Sequence, residues 1–242
     1  MSLGFAPDWP APKNVRAFVT ERGGAERYGR LNLALHVGDD ARLVAANRAR
    51  LRAEVELPAE PMWLEQVHGA RVLYLDSEPA APADGAVTAR AGVVCAVLTA
   101  DCLPVIFCDR AGGRVGVAHA GWRGLLAGVL PAAVRAMAAD PAELIAWLGP
   151  AIAPAAYEVG ADVREPFVAQ WPAAARWFAP NVRGRWQADL YGLARDSLIG
   201  AGVAAVHGGG ACTHAEAARF FSHRREAPCG RMATLVWLER TL

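Results

Sequence analysis

The sequence predicts a mixed α/β (α+β) fold in one domain spanning residues 1–242, and three observations carry that prediction. Strand and helix patterns are mixed along the chain instead of strictly alternating, several strand candidates are apolar on both faces, and two of them are joined by a hairpin turn. The first strand is expected at Val15–Thr20, rich in β-branched residues, followed by a helix over Asp40–Glu54 with Asp39 or Asp40 as its N-cap. Strands are expected at Met62–Val67, Arg71–Leu75, Val93–Thr99, Pro104–Cys108 and Arg114–His119, and Asp84-Gly85 reads most simply as a turn. Asp109-Arg110-Ala111-Gly112-Gly113 is a hairpin turn between two buried strands, which makes them antiparallel neighbours. A helix is expected over Trp122–Ala138 with a kink or break at Pro131, then a strand at Leu144–Leu148 and a helix at Ala161–Gln170. A helix over Asp189–Ala201 is stopped by Gly200 or Gly202, and a strand at Val203–His207 leaves through the tight turn of Gly208-Gly209-Gly210. A helix over His214–Arg219, with Thr213 as its cap, and a strand at Met232–Leu238 complete the reading.

Composition narrows the class of function. With 242 residues, 54% hydrophobic and 20% charged, the chain can bury a large core. The formal charge of +1 comes from scattered, nearly balanced residues, so no nucleic-acid partner is expected. Apolar stretches such as Ala91–Leu98 fall well short of the roughly 20 residues that cross a bilayer, and the N-terminus lacks a basic start followed by an apolar block. No membrane association and no export are expected. Five cysteines without a Cys-x-x-Cys pair fit reduced thiols in a cytoplasmic protein better than a disulfide framework. The chain lacks a Walker A loop, a Gly-x-Gly-x-x-Gly fingerprint, a His-Glu-x-x-His helix and a Gly-x-Ser-x-Gly elbow.

The chemistry concentrates in three places where a metal-capable side chain ends a predicted strand beside small residues. They are Gln66-Val67-His68-Gly69, Thr99-Ala100-Asp101-Cys102-Leu103-Pro104 and Ala118-His119-Ala120-Gly121-Trp122-Arg123-Gly124. Imidazole and thiolate suit zinc, and three protein ligands with one open position is the pattern of a catalytic site. Taken alone, widely spaced residues of these types also fit satisfied core positions, and both readings stay open. Cys95 and Cys108 lie within continuous apolar strands and are assigned to core packing.

Leu31-Asn32-Leu33, His36-Val37-Gly38-Asp39-Asp40, Asn47-Arg48, Gln66-Val67-His68-Gly69, Asp84-Gly85, Thr99-Ala100-Asp101-Cys102 and His119-Ala120-Gly121-Trp122-Arg123-Gly124 together resemble the YfiH (laccase-domain) family. Gly149-Pro150-Ala151-Ile152, Tyr157-Glu158-Val159, Asp189-Leu190, Cys212-Thr213, Phe220-Phe221-Ser222, Arg224-Arg225 and Gly230-Arg231-Met232-Ala233 extend the resemblance, in order, nearly to the C-terminus. It implies a layered α/β/β/α domain with zinc, or copper in its place, on His68, Cys102 and His119. The implied activity is purine nucleoside phosphorolysis of adenosine, inosine and methylthioadenosine, with adenosine deamination alongside, in a monomer or homodimer. Zinc lowers the pKa of bound water toward about 7, which accounts for deamination. Phosphorolysis also needs an anion site, for which Arg123 and Arg224 are the candidates. Glu158 is the candidate for proton transfer or ribose binding, Asn32 and Gln66 for polar contacts to substrate, and Gln66 and Asp101, beside the ligands, also for orienting an imidazole or satisfying backbone groups.

Two departures from the family pattern bear on substrate choice. Thr20-Glu21-Arg22-Gly23-Gly24 stands where relatives carry Thr-Arg before the Gly-Gly turn, so an anion-binding arginine is lost or replaced by Arg22; His223 stands where tyrosine is common. The alternatives are a cysteine hydrolase using Cys102 and His119 without metal, including a peptidoglycan-editing role, and copper-dependent polyphenol oxidation. A binding module with structural zinc is a further reading.

Overall fold

The structure, a computed structural model, describes residues 3–239. In chain order its elements are β1 (Gly4–Phe5), β2 (Val15–Thr20), α1 (Ala41–Glu54), β3 (Met62–Trp63), β4 (Val72–Tyr74), β5 (Gly85–Thr88), β6 (Val94–Thr99), β7 (Leu103–Asp109) and β8 (Val115–Ala120). There follow α2 (Trp122–Ala127), α3 (Val129–Ala136), β9 (Leu144–Leu148), β10 (Glu158–Val159), α4 (Ala161–Gln170), β11 (Phe178–Pro180), β12 (Trp186–Ala188), α5 (Leu190–Gly200), β13 (Ala205–Gly208), α6 (His223–Glu226) and β14 (Met232–Leu238).

Two sheets stack face to face. One has the order β1-β2-β14-β6-β3 and the other β13-β9-β7-β8-β5-β4; a small third sheet, β10-β12-β11, lies beside them. The period-two alternation of β7 shows why both faces are apolar. Leu103, Val105 and Phe107 point to a core shared with Leu125, Leu130, Phe167 and Leu193 of the helices. Ile106 and Cys108 point the other way, to Val19, Cys95, Val97 and Val236 of the facing sheet. Each such fully buried large side chain contributes about 1.5–3 kcal/mol of transfer free energy. On the far face of the five-stranded sheet, Val94, Ala96 and Leu235 pack against Leu51 of α1. The layers are therefore α/β/β/α, as the resemblance implies.

The hairpin reading holds: β7 and β8 are antiparallel, with Val105 opposite Ala118, and Asp109 accepts the Gly113 N–H at the turn. The expected helix over Trp122–Ala138 is two helices, broken at Gly128, whose φ of 86° suits glycine. Pro131 falls in the first turn of α3, where its missing N–H costs nothing.

Three further expectations are corrected. Met62–Val67 is a strand only at Met62–Trp63, because past that point the Gln66 side chain, not the backbone, pairs with β6: Nε2 donates to the Leu98 carbonyl at 2.9 Å and Oε1 accepts its N–H at 2.7 Å. His214–Arg219 is not a helix. The Thr213 and His214 carbonyls, which a helix would use, accept instead from Arg225 Nη1 at 2.7 and 2.8 Å, and the Thr213 hydroxyl donates to Asp101. Asp84-Gly85 is not a surface turn: Gly85 opens the fully buried β5, and Asp84 is itself buried.

Candidate metal centre

His68, Cys102 and His119 arrive at one point from the seam of the two sheets. His119 lies on β8, Cys102 immediately precedes β7, and His68 sits in the loop before β4. Their ligand atoms all lie within 4.8 Å of one another, Cys102 Sγ is 4.0 Å from His68 Nε2, and the two imidazoles meet edge-on with centroids 4.7 Å apart. Tetrahedral zinc spaces such nitrogen and sulfur atoms by about 3.5 Å, close to the spacing here. His68 is exposed, while His119 is buried. The donor set fits zinc.

Asp84 organises the centre. Its buried carboxylate accepts His119 Nδ1–H at 2.8 Å and the backbone N–H groups of Val67 at 3.2 Å, His68 at 2.9 Å and Gly69 at 2.6 Å. The bond to Nδ1 leaves His119 Nε2 to face the other two ligands. The three backbone bonds hold His68 in the left-handed region, φ 60°, a conformation costing about 1–3 kcal/mol that Asp84 offsets. Burial tends to raise Asp84, and the bonds from His119, Gly69 and His68 outweigh it and hold its carboxyl below the ordinary range. Sequence reading missed this role; the family motif at Asp84-Gly85 was the available signal.

Cys102 is presented by a second strained residue, Asp101 at φ 84°, whose carboxylate accepts the Thr213 hydroxyl at 2.6 Å and the Arg224 N–H at 2.7 Å. Asp101 and Gln66 thus satisfy backbone and hydroxyl groups, and neither bonds an imidazole. Gly121 leaves room for the sulfur, since a Cβ there would lie 2.8 Å from Cys102 Sγ. Burial works against both ionised partners of the Cys102–His119 pair. Mutual attraction outweighs it, lowering the thiol with help from His68 and raising the imidazole with help from Asp84. A thiol biased toward thiolate suits a metal ligand or a nucleophile. Cys95 and Cys108 differ: burial raises both thiols, that of Cys108 to about 12. All five cysteines are free.

The centre forms part of the wall of a cleft of about 320 Å³. A larger groove of about 820 Å³ among α3, α5 and the segment Gln170–Ala174 contains neither histidine nor cysteine and holds no ligand set. Arg224 lines the cleft, stacked 5.3 Å over the Tyr157 ring, and His223 lines it too. Several other expected substrate residues do not. Asn32 is fully buried, with its amide spent on Ala34, Asp39 and Arg231. Glu158 is off the cleft lining, its carboxylate paired with Arg183 at 2.6 Å and Asn181 at 2.7 Å. Arg123 is exposed and stacks on Trp122, which lines the cleft in its stead. Arg22 is 2% exposed, held by Glu226 and by the Ala25, Glu26 and Ala217 carbonyls, and offers nothing to an outside anion. The cleft also contains His36 and Arg231, which sequence reading had not assigned.

The family model for the multi-copper polyphenol oxidoreductase laccase matches residues 15–239. The chain is 51% identical to a purine nucleoside phosphorylase of Pseudomonas aeruginosa, covering 99% of this chain and 100% of that one. It is 49% identical to the purine nucleoside phosphorylase YfiH of Escherichia coli, covering 98% and 100%. Among solved structures, a Neisseria meningitidis protein superposes with a TM-score of 0.94 at 45% identity, over 99% of this chain and 100% of that one. YlmD from Geobacillus stearothermophilus superposes with a TM-score of 0.87 at 33% identity, over 96% and 94%. With a shared fold, a family match over nearly the whole length and His68, Cys102 and His119 brought together, this chain belongs to the YfiH, or multi-copper polyphenol oxidoreductase laccase, family.

Proposed function

We propose that this protein is a zinc-dependent purine nucleoside phosphorylase acting on adenosine, inosine and methylthioadenosine, with adenosine deamination at the same centre. The observation that carries the reading is the convergence of His68, Cys102 and His119, oriented by Asp84, on a cleft of nucleoside size. It is supported by near-half identity, along the full length, to proteins named purine nucleoside phosphorylase. Zinc held by the three ligands would supply Lewis acidity beside the substrate. Asp84 keeps His119 in one tautomer, and the Trp122 and Tyr157 rings give the cleft an aromatic wall against which a purine can lie. Arg224, stacked on Tyr157 with its Nη1 donating to the Glu158 carbonyl, keeps a cation at the substrate's edge. The absence of a membrane-length apolar helix among the described residues and the five free cysteines support a cytoplasmic setting with reduced thiols.

A second reading has its own observation: Asp84, His119 and Cys102 stand in the carboxylate–imidazole–thiol order of a cysteine hydrolase. His68 separates the two. A nucleophilic dyad survives its removal, whereas a three-ligand centre does not. Copper oxidation draws less support, because no methionine lines the cleft among the described residues to complete a His₂Cys set.

The test is metal content by mass spectrometry together with chromatography of adenosine and inosine, with and without phosphate, for wild type, Cys102→Ala and His68→Ala. Loss of metal and of phosphate-dependent base release in both variants, with unchanged circular dichroism, is the expected result. Turnover that survives His68→Ala without metal would replace this reading with the hydrolase.

A further inference from the structure

The cleft has two chemically different walls, and the metal centre explains neither. Trp122, Ile152, Tyr157 and Leu190 approach from the six-stranded sheet and its helices, and form the aromatic and apolar wall. His36 and Arg231 approach from the other side, His36 from the short turn Leu35–Val37 and Arg231 from the position just before β14 of the five-stranded sheet.

That second wall carries the Arg231 guanidinium with no carboxylate paired to it among the described residues. Arg231 is pinned in place: its backbone N–H donates to Asn32 Oδ1 at 3.0 Å, and Nη1 donates to the Cys229 and Gly230 carbonyls at 2.7 and 3.0 Å. Among the described residues no carboxylate pairs with it, unlike Arg22 or Arg219. The single carboxylate in the cleft lining, Asp101, is occupied by Thr213 and the Arg224 N–H. His36 stands beside Arg231 in the lining, and burial first, then Arg231 and Arg48, disfavours its protonated form, leaving a neutral imidazole whose N–H can donate to an anion. A fixed guanidinium with its Nε and Nη2 edge uncommitted is the geometry that receives two oxygens of a tetrahedral anion.

We propose that Arg231 and His36 form the subsite for inorganic phosphate, facing a nucleoside whose purine lies against Tyr157 and Trp122. This rests on the phosphorylase reading and moves the anion role to residues that the sequence had not singled out for it. A phosphate oxygen so placed attacks C1′ of the ribose. The new C–O bond forms as the bond from C1′ to the purine nitrogen breaks, and the electron pair leaves with the base, which takes up the proton that hydrogen phosphate gives up.

The test compares wild type, Arg231→Gln, Arg231→Lys and His36→Gln, each checked for metal content and circular dichroism. Kinetics are run with inorganic phosphate varied against fixed inosine and the reverse, and thermal unfolding with inorganic phosphate alone gives a binding readout independent of turnover. Arg231→Gln should raise the phosphate KM about 10-fold or more and abolish the phosphate-induced rise in Tm, leaving the inosine KM unchanged; Arg231→Lys and His36→Gln should fall between. An unchanged phosphate KM and Tm response in folded, metal-loaded Arg231 and His36 variants overturns the subsite. Arg231-dependent phosphate binding without base release would overturn the phosphorylase reading and leave the subsite standing; wild type showing neither overturns both.

Discussion

Replacing Asp84 with Asn keeps the size of the side chain and removes its charge, and the geometry predicts damage in either amide orientation. In the native site Oδ1 accepts from the His68 N–H and from His119 Nδ1, and Oδ2 accepts from the Val67 and Gly69 N–H groups. With the amide nitrogen on the Oδ2 side, two backbone donors lose their acceptor at about 1–3 kcal/mol each. With it on the Oδ1 side, the His68 donor is orphaned, and the amide donates to His119 Nδ1. That forces the proton onto Nε2, where it blocks the ligand position. The two outcomes are separable. The first appears as a stability loss of about 2–6 kcal/mol in urea unfolding, the second as metal affinity weakened about 10- to 100-fold in a chelator competition. Asp84→Asn should show at least one of them at full size. A variant with native stability and native metal affinity would refute the role assigned to Asp84.

Three other substitutions probe separate parts of the argument. Gly121→Ala places a Cβ 2.8 Å from Cys102 Sγ and 3.3 Å from His68 Cδ2, so metal affinity should fall about 10-fold or more by chelator titration while circular dichroism stays native. Arg22→Met removes the buried guanidinium from Glu226, which keeps Arg225, and from the Ala25 and Ala217 carbonyls; it should cost on the order of 2 kcal/mol in denaturant unfolding, Glu226 being partly exposed, and leave the phosphate KM unchanged. Asp76 gives a pH test away from the centre. Its partial burial tends to raise it, but the Thr88 hydroxyl, the Ala89 N–H and Arg90 outweigh that and lower its pKa. A depressed carboxylate stabilises the fold above its unfolded value near 3.9 and stops doing so as pH falls through its folded value. The stability gap between wild type and Asp76→Asn should therefore be full at pH 7 and shrink below about pH 4. A gap that widened on acidification would reverse the assignment.

What the sequence by itself determined is the part of the molecule written in local pattern. β-branched runs placed β2, β6, β7, β8, β9 and β14 within a residue or two, Asp109–Gly113 set the central antiparallel pair, and strand ends beside small residues singled out His68, Cys102 and His119, which local pattern left open between core and metal and the fold brings together. Where side chains replace backbone as the hydrogen-bonding partner, local pattern failed. Gln66 ends β3 early by pairing with Leu98 across the sheet, and Arg225 takes the carbonyls that a helix at His214 would have used. The roles of polar residues were decided by tertiary structure alone. Asn32, Glu158 and Arg22 have the right chemistry for substrate and spend it on the protein, while Asp84, which reads as a turn, reaches across 35 residues to fix the His119 imidazole. A hydrogen bond between residues so far apart leaves no periodicity in the chain. Whether a polar side chain serves the fold or the substrate depends on which neighbours the fold brings to it, and those are set only when the two sheets close on each other.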